Sequence, residues 1–121
     1  MKKALILLAH GSKNKLWRKN FEEILVSIEK GYGKNKVLLA YLDLSAPPFN
    51  MALKKAVESG AKYINVLPMF LSRGNHTERD IPIVINNFKK LYPQVQIKLL
   101  SPIGEHPKAL KILKEIAKAC I

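Results

Sequence analysis

The sequence predicts an α/β fold, a three-layer α/β/α arrangement around a four-stranded parallel sheet of order 2-1-3-4. Three observations lead there. Short apolar runs alternate with amphipathic stretches, the signature of repeated βα units. The runs are nearly continuous in apolar character, as suits strands covered on both faces. The length, 121 residues, fits one domain with a single core and is too short for two.

The first strand is expected over Ala4 to Ala9. The preceding Met1-Lys2-Lys3 gives a superficial likeness to a signal peptide, but the apolar run is short and leads into His10-Gly11-Ser12 without a small-residue cleavage pattern. A helix follows from about Lys13 to Lys30, with Trp17, Phe21, Ile24, Leu25 and Ile28 at steps of three and four, Ser12 as N-cap, and Gly31 and Gly33 ending it. Strand two is Val37 to Leu42. The loop from Asp43 to Pro48 opens a helix that runs through Ser59 and stops at Gly60. Strand three, Tyr63 to Leu67, leads into a long loop, Pro68 to His76, before a helix expected to start near Asp80-Ile81-Pro82, because proline fits the first turn. Thr77-Glu78-Arg79-Asp80 reads as a capping box or, with Asp80, as an N-cap. That helix buries Ile81, Val84, Ile85, Phe88 and Leu91. Pro93 precedes strand four, Val95 to Leu100, and the last helix carries Leu110, Leu113, Ile116 and Ala117 on one stripe.

Composition narrows the function. No segment approaches the ~18 uninterrupted apolar residues of a membrane span, so no membrane partner is expected. One cysteine, Cys120, leaves no internal disulfide and no cysteine-based metal cluster, which suits a reducing cytoplasm. The net charge of +12 would attract nucleic acid, anionic lipid or a polyanionic small molecule. The lysines are dispersed and no nucleic-acid motif is present, so a solvated basic surface is the expectation and a nucleic-acid-associated domain the outlying alternative. Gly31-Tyr32-Gly33 lies between a helix and a strand, the wrong context for a dinucleotide loop, and no Walker motif occurs. Neither a nucleotide nor a flavin is expected.

Right-handed crossovers and the order 2-1-3-4 make strands one and three neighbours, with the winding reversing between them. Ligands in such sheets bind beyond the carboxyl ends of the strands at that reversal. His10 ends strand one and His76 lies in the loop after strand three, so two histidines distant in sequence are expected at one crevice. Neutral imidazole is the commonest protein ligand for first-row divalent metals, and two histidines leave coordination positions open, as a transfer site requires. Glu78 is a candidate for supporting the metal or accepting a proton, and Asp43 lies at the same edge. Gly11 and Ser12 at a helix start, and Arg73 with Gly74 in the long loop, are candidates for holding an anionic substrate through backbone amides and a guanidinium. His106, before Pro107, reads as a turn residue that starts the last helix.

The run Leu7-Leu8-Ala9-His10-Gly11-Ser12 and the stretch from Pro68 to Pro82, with its G-x-H-x-x-x-D-I-P ending, resemble the small form of the CbiX sirohydrochlorin cobaltochelatases. Asp43 after strand two and Pro102-Ile103-Gly104 with Pro107 follow the same layout. The resemblance implies His10 and His76 as metal ligands and a chain equivalent to one half of the two-lobed class II chelatases. It further implies a homodimer that works without ATP, sirohydrochlorin as substrate, and cobalt as the usual metal, with nickel or iron in close relatives. A metal or tetrapyrrole carrier without turnover is the alternative from the binding-protein class.

Overall fold

The computed structural model describes residues 2–34, 36–43, 45–72 and 74–121, with Trp17 and residues 75–78 described by their backbone alone. Elements alternate along the chain as β1 (Lys3–Ala9), α1 (Lys15–Tyr32), β2 (Val37–Tyr41), α2 (Phe49–Glu58), β3 (Tyr63–Pro68), α3 (Asn75–Leu91) and β4 (Gln96–Leu99). A 3₁₀ turn (Ile103–Glu105) then leads into α4 (Pro107–Ala119). The strands form one sheet in the order β2-β1-β3-β4, all pairs parallel. The expected fold class and strand order are those observed.

Side-chain alternation divides the sheet into two faces. On one, Ile6, Leu8, Ile64, Val66 and Ile97 pack against Leu53 and Ala56 of α2 and Ile81, Ile85 and Phe88 of α3. Full burial of residues such as Leu53 and Ile64 stabilises the fold by about 1.5–3 kcal/mol each. On the other, Leu7, Ala9, Leu39 and Tyr41 are covered by Phe21, Leu25 and Ile28 of α1. Helix α4 buries no residue at all.

Three local expectations are corrected. The N-cap of α1 is Asn14, whose side chain accepts from the Leu16 amide at 2.9 Å. Ser12 stays in the loop and its hydroxyl accepts from the Asn14 amide at 3.1 Å, because the chain needs residues beyond Gly11 to turn from strand to helix. Helix α3 begins at Asn75, so His76 lies in its first turn rather than in a loop, and Pro82 lies inside it. An internal proline removes one backbone bond and costs ~3 kcal/mol. Burial of Ile81, Ile85 and Phe88 on the same helix offsets that. Thr77 and Asp80, read as capping residues, are therefore interior to the helix.

Candidate metal-transfer site

The site is assembled at the carboxyl ends of β1, β2 and β3, where the winding reverses. His10 immediately follows β1 and is exposed to solvent, as a ligand exchanging a metal must be. Its ring lies against Phe70, with ring centroids 4.1 Å apart and planes inclined by 29°. Phe70 is itself buried, and its carbonyl accepts from the Gly104 amide at 3.0 Å. A fixed aromatic floor limits the imidazole to few rotations without occupying either ring nitrogen. Phe70→Leu keeps the volume apolar but removes the stacked face, worth about 0.5–1.5 kcal/mol. A two- to tenfold slower metal transfer with an unchanged far-ultraviolet spectrum is expected. An unaltered rate would show that the stack does not position His10.

Backbone geometry holds the turn after His10 against the turn after β2. The Asp43 amide donates to the His10 carbonyl at 2.9 Å, and the Leu42 amide to Ala9 at 2.9 Å. Gly11 has φ +107°, and a Cβ there would overlap the Asp43 carbonyl. One step further, Ser45 clasps Ser12 twice. Its hydroxyl accepts from the Ser12 amide at 3.0 Å and donates to the Ser12 carbonyl at 2.7 Å. The Ser12 amide is thus engaged within the protein, which leaves the hydroxyl hydrogen as the donor Ser12 can offer a ligand. Ser45→Ala removes both bonds, and a loss of about 1–2 kcal/mol in chemical denaturation is expected. An unchanged denaturation midpoint would assign the clasp no weight.

A cleft of about 590 Å³ opens here, lined among others by His10, Gly11, Asp43, Phe49, Asp80 and Val84. Its size lies within the range of small-molecule sites, about 300–1,000 Å³. A second cleft of about 600 Å³ runs along the outer edge of β2 between α1 and α2, away from His10. The cleft at the strand ends is the better candidate because it joins a histidine to two carboxylates at the reversal point. Tyr41, at the end of β2, does not trade protons with it at neutral pH: burial, and then the nearby Glu22, raise its pKa above the ordinary phenol value, against a lowering influence from Arg18.

The backbone of α3 places position 76 in register with this cleft. Positions 76, 80, 83 and 84 share one helix face, and Asp80, Ile83 and Val84 line the cleft. The side chains of His76 and Glu78 lie outside the described residues, as does Arg73; Gly74 is exposed just before α3. Among the described residues, no three or more His, Cys, Asp and Glu side chains gather to hold a metal. The CbiX family model matches residues 4–120.

The chain belongs to the CbiX family. It is 34% identical over 119 residues to a sirohydrochlorin cobaltochelatase of Sulfolobus acidocaldarius, covering 97% of this chain and 91% of that one. It is 26% identical to the chloroplastic sirohydrochlorin ferrochelatase of Arabidopsis thaliana, over 97% of this chain and 52% of that protein. Among solved structures it resembles the sirohydrochlorin chelatase SirB of Bacillus subtilis subspecies spizizenii in complex with cobalt, with TM-score 0.78 and 27% identity, over 98% of this chain and 51% of that one. This CbiX chain therefore spans about half the length of some relatives and nearly the whole of another.

Three features of the site escaped the sequence reading. Asp80 was assigned to capping, yet it lines the cleft; the signal was its i, i+4 spacing from His76, readable only once the helix is known to start at Asn75. Ser45 and Phe70 carry no motif of their own, since each acts by contact with a residue far away in sequence. His106 is placed as expected, capping α4 with Nδ1, which accepts from the Lys108 amide at 3.1 Å.

Proposed function

We propose that this CbiX chain is an ATP-independent chelatase that inserts a divalent metal, Co²⁺ in the first instance, into sirohydrochlorin for cobalamin-type tetrapyrrole synthesis in the cytoplasm. The observation that carries the proposal is the exposed His10, held on Phe70 at the mouth of an open cleft, on a chain whose family model matches from residue 4 to 120. No helix among the described residues is long and apolar enough to cross a membrane, in keeping with that setting.

Insertion needs an ion held loosely enough to leave, a macrocycle placed over it, and acceptors for two pyrrole N–H protons. In this reading His10 and His76 are the metal ligands and present the ion, which is substrate and not a resident cofactor. As the metal–nitrogen bonds to the macrocycle form, one imidazole or Glu78 takes the released protons. Asp43 and Asp80 give the cleft a negative lining, which draws a divalent cation and can accept from a pyrrole N–H. They do not suit the carboxylate rim of sirohydrochlorin. The rim is left to Gly11, Ser12, Arg73 and Gly74, and to the basic surface that a net charge of +12 provides. Leu42, Pro48, Phe49, Ile83 and Val84 supply apolar wall for the flat face of the ring. A cleft open on one side calls for a second wall, and a homodimer supplies it.

Nitrogen ligands accept Co²⁺, Ni²⁺ and Fe²⁺ alike, so geometry and supply decide between them. A nickel- or ferrochelatase acting on the same macrocycle is the second reading, favoured by the ferrochelatase among the relatives. Following the absorption of sirohydrochlorin on addition of each metal, with and without protein, tests the proposal. Acceleration is expected, greatest with Co²⁺. Tight binding of metal or macrocycle with no acceleration over the metal-only control would make the chain a carrier.

A further inference from the structure

The most exposed apolar surface of the chain is not at the cleft. Helix α4 presents Leu110, Leu113 and Ile116, which are 42%, 40% and 57% exposed, along one stripe, and no residue of the helix is buried. Its main contact is with the 3₁₀ turn that precedes it.

The sheet has a vacancy of matching shape. Helices α2 and α3 together cover one face, but α1 alone covers the other and lies over β2 and β1. Below the uncovered half, Tyr63 and Asn65 of β3 and Lys98 of β4 face outward, opposite the buried Ile64, Val66 and Ile97. The side wall of this vacancy is also apolar. Glu22 and Glu29 of α1 line the cleft at the outer edge of β2, so the opposite flank of that helix, with Ile24 and Ile28, turns toward β3. Ile24 is 39% exposed. A bare half-sheet with room for one helix and a helix with no bed occur in the same molecule.

We infer that α4 of one copy docks on the uncovered β3–β4 half of a second copy, beside its α1, so that the dimer is made by reciprocal exchange of this helix. Two quantities favour a second copy as the occupant. The chain exposes 8429 Å², against about 6,600 Å² for a folded monomer of 13.7 kDa. The excess, roughly 1,800 Å², is the size of a standard protein interface, about 1,600 Å². In addition, this chain accounts for 51% of the SirB chain it resembles, so two copies match one such molecule in length. Exchange of an identical element is a low-cost route to such a dimer.

Exchange also reaches the metal-transfer site. The 3₁₀ turn that roots α4 is fixed to the loop beneath His10: the Gly104 amide donates to the Phe70 carbonyl, and a Cβ on Gly104 would overlap the Leu71 backbone. Docking of α4 on the partner therefore holds the segment that carries the stacked aromatic floor.

The inference rests on the homodimer proposed above, and the tests separate the two. Sedimentation of the wild-type chain reads the dimer itself; a monomer at tens of micromolar overturns both. Leu113→Glu combined with Ile116→Glu is expected to give a monomer with an unchanged far-ultraviolet spectrum, since neither residue is buried within its own chain; a dimer that survives overturns the exchange alone. Disulfide trapping locates the bed. In a Cys120→Ser background, Asn65→Cys with Leu113→Cys is expected to give a covalent dimer on oxidation. An intrachain bond, no bond, or a covalent dimer from Leu113→Cys alone would each overturn docking on the partner's sheet.

Discussion

Replacing His10 by alanine is expected to reduce metal insertion into sirohydrochlorin to the rate of the metal-only control, a fall of more than about 100-fold. The size follows from its place: an exposed imidazole at the strand end, fixed on Phe70 and facing a cleft with two carboxylates. Loss of one of two imidazole ligands leaves an ion held by water and carboxylate, without the nitrogen donor that selects first-row metals. Because the side chain is exposed, stability should change by no more than about 0.5 kcal/mol. A large kinetic loss beside a small thermal one therefore distinguishes a ligand from a structural histidine. His76→Ala should match it. His106→Ala serves as the control: it removes the cap of α4, costs about 0.5–2 kcal/mol of helix stability, and should leave the transfer chemistry in place. Insertion that survives His10→Ala at half the wild-type rate or more would refute the metal role.

Gly11→Ala is expected to be the most damaging conservative change in the site. At φ +107° an L side chain is strained by about 1–3 kcal/mol. The added methyl would also coincide with the Asp43 carbonyl, so the Asp43 turn must move. That movement breaks the 2.9 Å bond from the Asp43 amide to the His10 carbonyl, worth about another 0.5–1.5 kcal/mol. A total near 3 kcal/mol should lower the thermal midpoint by roughly 10 °C. Activity should fall further than stability, since His10 and Asp43 shift relative to one another. Calorimetry and the insertion assay on the same preparation measure both. A midpoint within 2 °C of wild type, on the scale of about 2–8 °C per kcal/mol, would mean that the turn relaxes at little cost.

The two changes show how legible the site was. His10 could be read from the sequence because an apolar run ending in His-Gly-Ser marks a strand end, and the strand order follows from the handedness of the crossovers. Gly11 was legible as a turn glycine, but not the carbonyl it must make room for, which comes from the strand beside it. Asp80 was misread for a local reason. Proline at position 82 argued for a helix start, and burial of Ile81, Ile85 and Phe88 carried the helix back to Asn75 instead. Ser45 and Phe70 were silent, since a hydroxyl clasp and an aromatic floor have no periodicity.

By itself the sequence determined the four parallel strands, their order, the edge at which a ligand binds and the histidine that ends β1. Each follows from patterning and chirality, which act within a few residues or through rules that hold for every parallel sheet. The tertiary structure alone decided where α3 starts, which turns lock together around Gly11 and Ser45, and that α4 finds no bed in its own chain. Those outcomes depend on which surfaces meet across the fold, and free energies of packing between distant segments outweigh the local preferences that a sequence pattern expresses.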